Sequence, residues 1–291
     1  MLHRIGEIVE HRLREPVDAA PWYERVLQID PTFLPSLHAL GGIYERAGRW
    51  DDLIRIITRE AQQADEPYRK AAAHARIGAI YEEHLGDPIE AVEQHQRALL
   101  AVPRHATSFK ALDRLLTAAG RFRDLVRLHE HGVEHATETH HAIAHLLRIG
   151  TVQEESLGEH AQAADAYRRV LERDPDHLGA IQGLERTAER AERYDDLLRA
   201  LDMEIDRCQD DGQRIALLHR TGEVLEHRIG DRDRALDRYR QVLNRDGRYI
   251  PVLASLGRLY HAAGRFQDLL DIYERELELL SGKAGAAPLL H

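Results

Sequence analysis

The stretch RIGEIVEHRL, Arg4–Leu13, decides the fold because it returns three times: as RIGAIYEEHL from Arg76, RIGTVQEESL from Arg148 and RTGEVLEHRI from Arg220. Each copy starts 72 residues after the last, without a gap, and the residues that follow keep step. Ala19, Ala91, Ala163 and Ala235 share one register, Tyr23, His95, Tyr167 and Tyr239 a second, and Pro31, Pro103, Pro175 and Gly247 a third. A long fixed period marks an array in which each unit buries its apolar face against the next. The predicted organisation is one solenoid domain over residues 1–291, with units at approximately 2–73, 74–145, 146–217 and 218–289.

Each unit divides again. PTFLPSLHALGGIYERAGRWDDL after Asp30 recurs as GRYIPVLASLGRLYHAAGRFQDL after Asp246, and more loosely after Val102 and Asp174, which gives eight half-units. Apolar residues within them recur at i, i+3, i+4 and i+7, so each half-unit reads as two helices of about fourteen residues joined by a short turn such as AGR or LGD. Aromatic residues make up 5% of the chain, and the β-branched and aromatic clusters that mark strands are missing, so the class is all-α. The odd half-units carry one more residue, which the sequence places in the helix-joining loop, as in EEHLGDPIEAV. Pro35 and Pro251 fall in the first turn of their helices, where a missing N–H costs nothing; Pro21 falls several residues into one and is expected to kink or delay it. The closing APLLH matches the ALLH before Arg220, which suggests a segment of a longer array.

Composition excludes several functions. No run of eighteen apolar residues could cross a membrane, and the charged start MLHRIGEIVEH lacks the apolar core of a secretory signal, so the expectation is a cytoplasmic protein without membrane insertion. A single cysteine, Cys208, supplies neither an internal disulfide nor a thiolate cluster. Fifty acidic and forty basic residues are interleaved, giving a net charge of −10 and no basic face for nucleic acid. No phosphate loop, nucleophile elbow or zincin helix is present, and no cofactor is expected. The carboxylate pairs Glu82–Glu83 and Glu154–Glu155 lie in a register shared by all four units, which suits a repeated face better than a unique catalytic centre.

The segment from His129 to His145, HEHGVEHATETHHAIAH, concentrates imidazoles as a zinc site does. With helices at 122–136 and 140–156, His131 would face His145 and His135 would face His141. The register argues against a common centre. His129 aligns with Ile57, Leu201 and Tyr273, and His145 with Ala73, Leu217 and Leu289, which are packing positions, whereas His131 and His135 align with variable polar ones. The expectation is two packing histidines and no metal, with His129→Leu neutral or stabilising.

The spacing of Leu40, Gly41, Tyr44, Gly48, Trp50 and Leu53, repeated by Leu256, Gly257, Tyr260, Gly264, Phe266 and Leu269, resembles the tetratricopeptide repeat over nearly the whole chain. Glycines such as Gly6, Gly41, Gly78, Gly150, Gly222 and Gly257 are expected to admit a close neighbouring helix, with Asp113 and Glu185 departing from that pattern. The resemblance implies an α-solenoid of about eight hairpins in a right-handed superhelix, whose first helices line a concave groove. It also implies a non-catalytic protein–protein interaction scaffold that binds a peptide or protein segment there; the alternative is a regulatory or sensor module of a larger enzyme. Carried onto this chain, the groove positions are Glu7, Glu10, His11, His38, Glu45, Arg46, Glu82, Glu83, Lys110, Arg114, Glu154, Glu155, Arg186, Arg190, Glu223, Glu226, Arg258 and His261. Two readings of these alternating charges stand side by side: they bind a partner of mixed charge, or they pair with one another across neighbouring helices. The only asparagine, Asn244, lies on a second helix, so the amide arms of a chaperone-tail clamp are missing. No oligomeric state follows from the sequence.

Overall fold

The computed structural model describes residues 1–12 and 16–284, and its regular structure is helical, with sixteen α-helices and no strand among the described residues. The chain forms two compact units, Met1–Arg148 and Ile149–His291. The first contains α1 (Leu2–His11), α2 (Pro16–Ile29), α3 (Leu34–Arg46), α4 (Trp50–Gln63), α5 (Pro67–Ile80), α6 (Pro88–Ala101), α7 (Ala106–Ala118) and α8 (Phe122–Glu134), and the unit boundary falls inside α9 (Thr139–Thr151). The second continues with α10 (His160–Leu171), α11 (Leu178–Arg190), α12 (Tyr194–Arg207), α13 (Asp211–Val224), α14 (Arg232–Arg245), α15 (Ile250–Ala262) and α16 (Phe266–Ala284). From α1 to α8, and again from α10 to α16, each helix packs chiefly on its neighbours in sequence.

Prolines and capping side chains set the helix starts. Pro35, Pro67, Pro88 and Pro251 all occupy first-turn positions, and the Asp87 carboxylate accepts from the backbone of Ile89 and Glu90 at 3.1 Å. Pro21 does not delay its helix. It sits inside α2, which already starts at Pro16, so it neither ends nor delays the helix, and it removes one backbone bond there.

The extra residue of the odd hairpins is inside the helix, not in the loop. α5, α9 and α13 each run into a π-helical turn, Tyr81–Leu85, Val152–Leu157 and Leu225–Ile229. The closing bonds show the insertion directly. In the even hairpins Arg49 N–H donates to Tyr44 O at 2.9 Å, five residues back; in the odd ones Asp87 donates to Tyr81 O at 2.9 Å, six back, and Asp231 to Leu225 O likewise. Left-handed glycines end both kinds of turn, except that Glu192, at φ 56°, stands where Gly48, Gly120 and Gly264 stand elsewhere.

Glycine spacing divides in two. A methyl group built on Gly6, Gly78 or Gly150 would lie 2.6, 2.7 or 2.8 Å from the ring of Tyr23, His95 or Tyr167, and Gly222 is pressed as closely by Tyr239. These rings lie flat across the helix and leave no room for a Cβ. Gly41 and Gly257 differ, with nothing nearer than 3.8 Å. That register does not demand glycine, which is why Asp113 and Glu185 fit there.

Candidate partner-binding surface

One carboxylate of each odd hairpin lies against the hairpin that follows, and in the third, fifth and seventh hairpins it stands in the π turn. Glu10, Glu82, Glu154 and Glu226 share the 72-residue register, and each accepts from an arginine on the next first helix. Glu10 takes Arg46 at 2.7 Å and the Tyr23 hydroxyl at 3.0 Å. Glu154 takes Nε and Nη2 of Arg186, each at 3.1 Å, and the Tyr167 hydroxyl at 3.1 Å, with Arg190 3.9 Å away. Glu226 takes Arg258 at 3.1 Å and Tyr239 at 2.9 Å. Glu82 takes both terminal nitrogens of Arg114, one of them at 2.7 Å; His95 replaces the tyrosine there and turns its Nδ1 to Ser108 Oγ at 3.2 Å. In the first hairpin pair Gly42 occupies the register of Arg114, and Arg46, one turn later, reaches back instead.

A complementary set of rungs runs from even to odd hairpins through the arginine that opens the RIG motif. Arg76 donates to Glu45 at 2.9 Å, and Arg220 to Glu189 at 2.9 Å and to Glu185. Arg148 finds Thr117 Oγ1 at 3.5 Å, because threonine fills the place of Glu45 and Glu189. Within each unit the first helices are thus tied by guanidinium–carboxylate contacts. Glu7 lies 3.5 Å from His3, Glu223 3.9 Å from His219 and His38 3.8 Å from Glu60. Glu83, Lys110 and Glu155 are exposed.

Burial and charge set the protonation of this surface. Burial alone would raise the Glu154 carboxyl, but bonds from Arg186 and Tyr167 and the nearby Arg190 hold it below its ordinary value. The Arg114 bond holds Glu82 down as well, and Arg114 is raised in return. Tyr23 and Tyr239 are raised by burial and by the carboxylates they bond, so they act as hydrogen-bond donors throughout the neutral range. Glu204 on α12 is raised well above the carboxylate range by burial and by its neighbour Glu185.

The histidine-rich segment forms a packed polar seam. His129 is buried, with Nε2 2.8 Å from Asp113 and Nδ1 3.0 Å from His145 Nδ1, and Phe109 meets both rings edge-on or tilted. Gly132 makes room for His145, whose ring lies 2.7 Å from where a Cβ would sit. His131 instead turns Nε2 to Pro103 O at 3.0 Å, and His135 turns Nδ1 to His131 O at 2.9 Å. The imidazole paired with His145 is therefore His129 and not His131, and His129→Leu would strip partners from both Asp113 and His145. No group of three potential ligands is arranged for a metal among the described residues.

Sequence reasoning did not assign the tyrosine hydroxyls or the RIG arginines to this surface. Both signals are present: Tyr23, Tyr167 and Tyr239 follow their glutamates by thirteen residues, and an arginine opens every copy of the motif.

Paired helices in tandem, each tied to the next through its first helix, define a helical-hairpin repeat array. Two sequence profiles described as tetratricopeptide repeat match the chain, one at residues 36–69 and 252–287 and the other at 146–177. Each matched segment covers one helix pair, α3–α4, α15–α16 or α9–α10, and these three hairpins are tetratricopeptide repeats. No curated protein matches it. Among solved structures it is similar to the C-terminal part of a TPR repeat-containing protein from Cytophaga hutchinsonii, at 14% identity and a TM-score of 0.37 over 87% of this chain and 99% of that one. It is also similar to YrrB, described as a TPR protein with an unusual peptide-binding site, at 14% identity and a TM-score of 0.36 over 68% and 96% of the two chains. A MamA protein gives 16% identity and a TM-score of 0.36 over 76% and 97%. No described helix is long and apolar enough to cross a membrane.

Proposed function

We propose that the chain is a non-catalytic scaffold that holds an extended or helical segment of a partner protein along the first helices of its hairpins. The observation that carries this reading is the state of the arginines. Arg114, Arg186 and Arg258 each give one or two N–H groups to an internal carboxylate while remaining more than half exposed. A guanidinium has five donors. The internal carboxylate fixes its plane, and the remaining N–H groups face outward, preorganised for a partner's carboxylates or backbone carbonyls. Glu83, Lys110 and Glu155 add exposed charge beside them. A reaction centre needs one unique constellation, whereas this one recurs every 72 residues, as contacts along a chain do.

The test is a photo-cross-linking side chain placed at Glu83 or Glu155 on the first-helix surface, and at Arg97 on a second helix as control. Partner adducts should form from the first two sites and not from the third. Adducts from Arg97 alone would move the binding surface to the second helices. Converting Lys110, Arg114, Arg186 and Arg190 to Glu should slow partner association most, with a loss that shrinks at high salt. It should also lower the melting temperature, because Glu82 and Glu154 lose their donors.

A further inference from the structure

The space between α3, α4 and α5 is open where its counterpart between α7, α8 and the start of α9 is filled. A cavity of about 460 Å³ lies there, with Leu34, Ile57, Ala72 and Ala73 among its walls. Register accounts for it. Ala73 corresponds to His145 in α9 and to Leu217 in α13. His145 lies across Gly132, its ring 2.7 Å from where a Cβ would stand, and its ring centre is 5.3 Å from that of His129 and 5.0 Å from that of Phe109. Gly132 and His129 stand where Glu60 and Ile57 line the cavity, so the imidazole occupies the corresponding space. Ala73 offers only a methyl group there. Leu34, 45% exposed, and Ala72, also exposed, mark the mouth.

Resting on the first-helix reading above, we propose that this cavity anchors the partner segment by taking one large aliphatic or aromatic side chain flanked on both sides by carboxylates. The charges on the wall specify the flanks. Arg69 and Arg76 both line the cavity from α5, with Ala72 and Ala73 between them. Seven residues are two helical turns, about 10 Å. An extended segment covers that distance in about three residues, so acids one or two positions to either side of the anchor reach the two guanidiniums. Both keep donors to spare: Arg76 gives one N–H to Glu45 at 2.9 Å while its side chain is 47% exposed, and Arg69, 3.3 Å from Glu66, is 70% exposed. Arg69 also makes the place particular to these hairpins, since His141 and Gln213 stand in its register. Against the two guanidiniums the lining sets a single carboxylate, Glu60, which has His38 3.8 Å away. That balance disfavours a basic side chain, and walls of Leu, Ile and Ala offer a polar one little to replace its water.

A displayed library of short random peptides, selected on the full chain, tests it. Recovered sequences should share a Leu, Ile, Met or Phe with Asp or Glu within two residues on each side. Fluorescence anisotropy with one such synthetic peptide then reads the anchor. Ala73→Leu copies Leu217, so it should melt no lower than wild type, and it should weaken the peptide by about tenfold, as should Ser in place of the peptide's apolar residue. Arg69→Gln should weaken the acid-flanked peptide by about threefold and leave one with serine flanks unchanged, whereas Lys70→Gln, outside the cavity, should change neither. Where Ala73→Leu itself melts lower, the peptide substitution and Arg69→Gln decide. Equal binding to wild type and a folded Ala73→Leu, recovered peptides without a shared apolar residue, or no recovered peptide would each overturn the proposal. The first-helix reading is judged separately, by adducts from Glu83 and Glu155 against those from Arg97.

Discussion

The two units are built on the same register but seal their helix seams with groups that titrate in opposite directions. In residues 1–148, His95 stands where the second unit has Tyr167 and Tyr239, His129 where it has Leu201, and His145 where it has Leu217. Burial holds His95, His105, His129 and His145 below the ordinary imidazole value, and the Asp113 bond does not overcome it at His129. At the His129–His145 contact one Nδ1 must carry a proton and the other must not. In residues 149–291 the counterpart is a half-buried cluster in which Glu204 is raised by burial and by Glu185 beside it, with Arg220, bonded to Glu185, opposing the rise. The comparison teaches that the period specifies shape and volume at a seam while leaving its chemistry free, provided each polar atom finds a partner.

The sharpest way to probe the shared scaffold is at its glycines. Gly222→Ala should destabilise the second unit by about 1–3 kcal/mol, because the Tyr239 ring occupies the space a methyl needs and is itself buried. Gly41→Ala, with nothing nearer than 3.8 Å, should instead be neutral or stabilising by up to ~1 kcal/mol. Urea midpoints of the two variants decide this, and equal losses would show that the two glycine registers are not distinct.

His129→Leu sharpens the difference between the seams. Leucine suits this position in the second unit, where Leu201 fills it, but here it removes the partner of Asp113 and of His145, at a cost of about 1 kcal/mol. The triple variant His129→Leu, Asp113→Gly and His145→Leu, which adopts the residue types of Leu201, Gly257 and Leu217 at the three places, should recover that loss in thermal melts. Failure to recover it would mean that the imidazoles contribute packing rather than paired hydrogen bonds. Glu192→Gly has a smaller effect of the opposite sign. It relieves a left-handed glutamate where three equivalent turns use glycine and should raise stability by about 0.5–1 kcal/mol.

Much of the architecture was legible because a period repeated four times averages out local ambiguity. Hairpins, first-turn prolines and the His129 core position all follow from register. The π turns were not legible: one added residue can be taken up by a loop or by a helix, and only the bond from Asp87 back to Tyr81 distinguishes the two. The close glycines were assigned too widely, since Gly6 and Gly41 look alike in sequence and only the flat Tyr23 ring separates them. For the candidate surface, helix phase placed Glu10, Glu82, Glu154 and Glu226 together with their arginines. It could not say that each carboxylate would turn sideways onto the next hairpin, and three of the four onto a tyrosine as well, because that depends on side-chain torsion.

The opposite titration of the two seams is the account's central claim, and amide hydrogen exchange at about pH 7.5 and about pH 5.5 tests it most directly. An unfolded histidine takes up a proton below about pH 6.5 while the folded ones resist, so the first unit's seam is at full strength above that value and weakens as pH falls toward the folded pKa. Glu204 has the reverse sign: its raised carboxyl contributes at low pH, and that contribution is lost as pH rises through its folded pKa. After correction for intrinsic exchange, protection of α7 and α8 should fall on acidification, while that of α12 and α13 should hold or rise. Equal loss in both pairs of helices, or loss confined to α12 and α13, would contradict it.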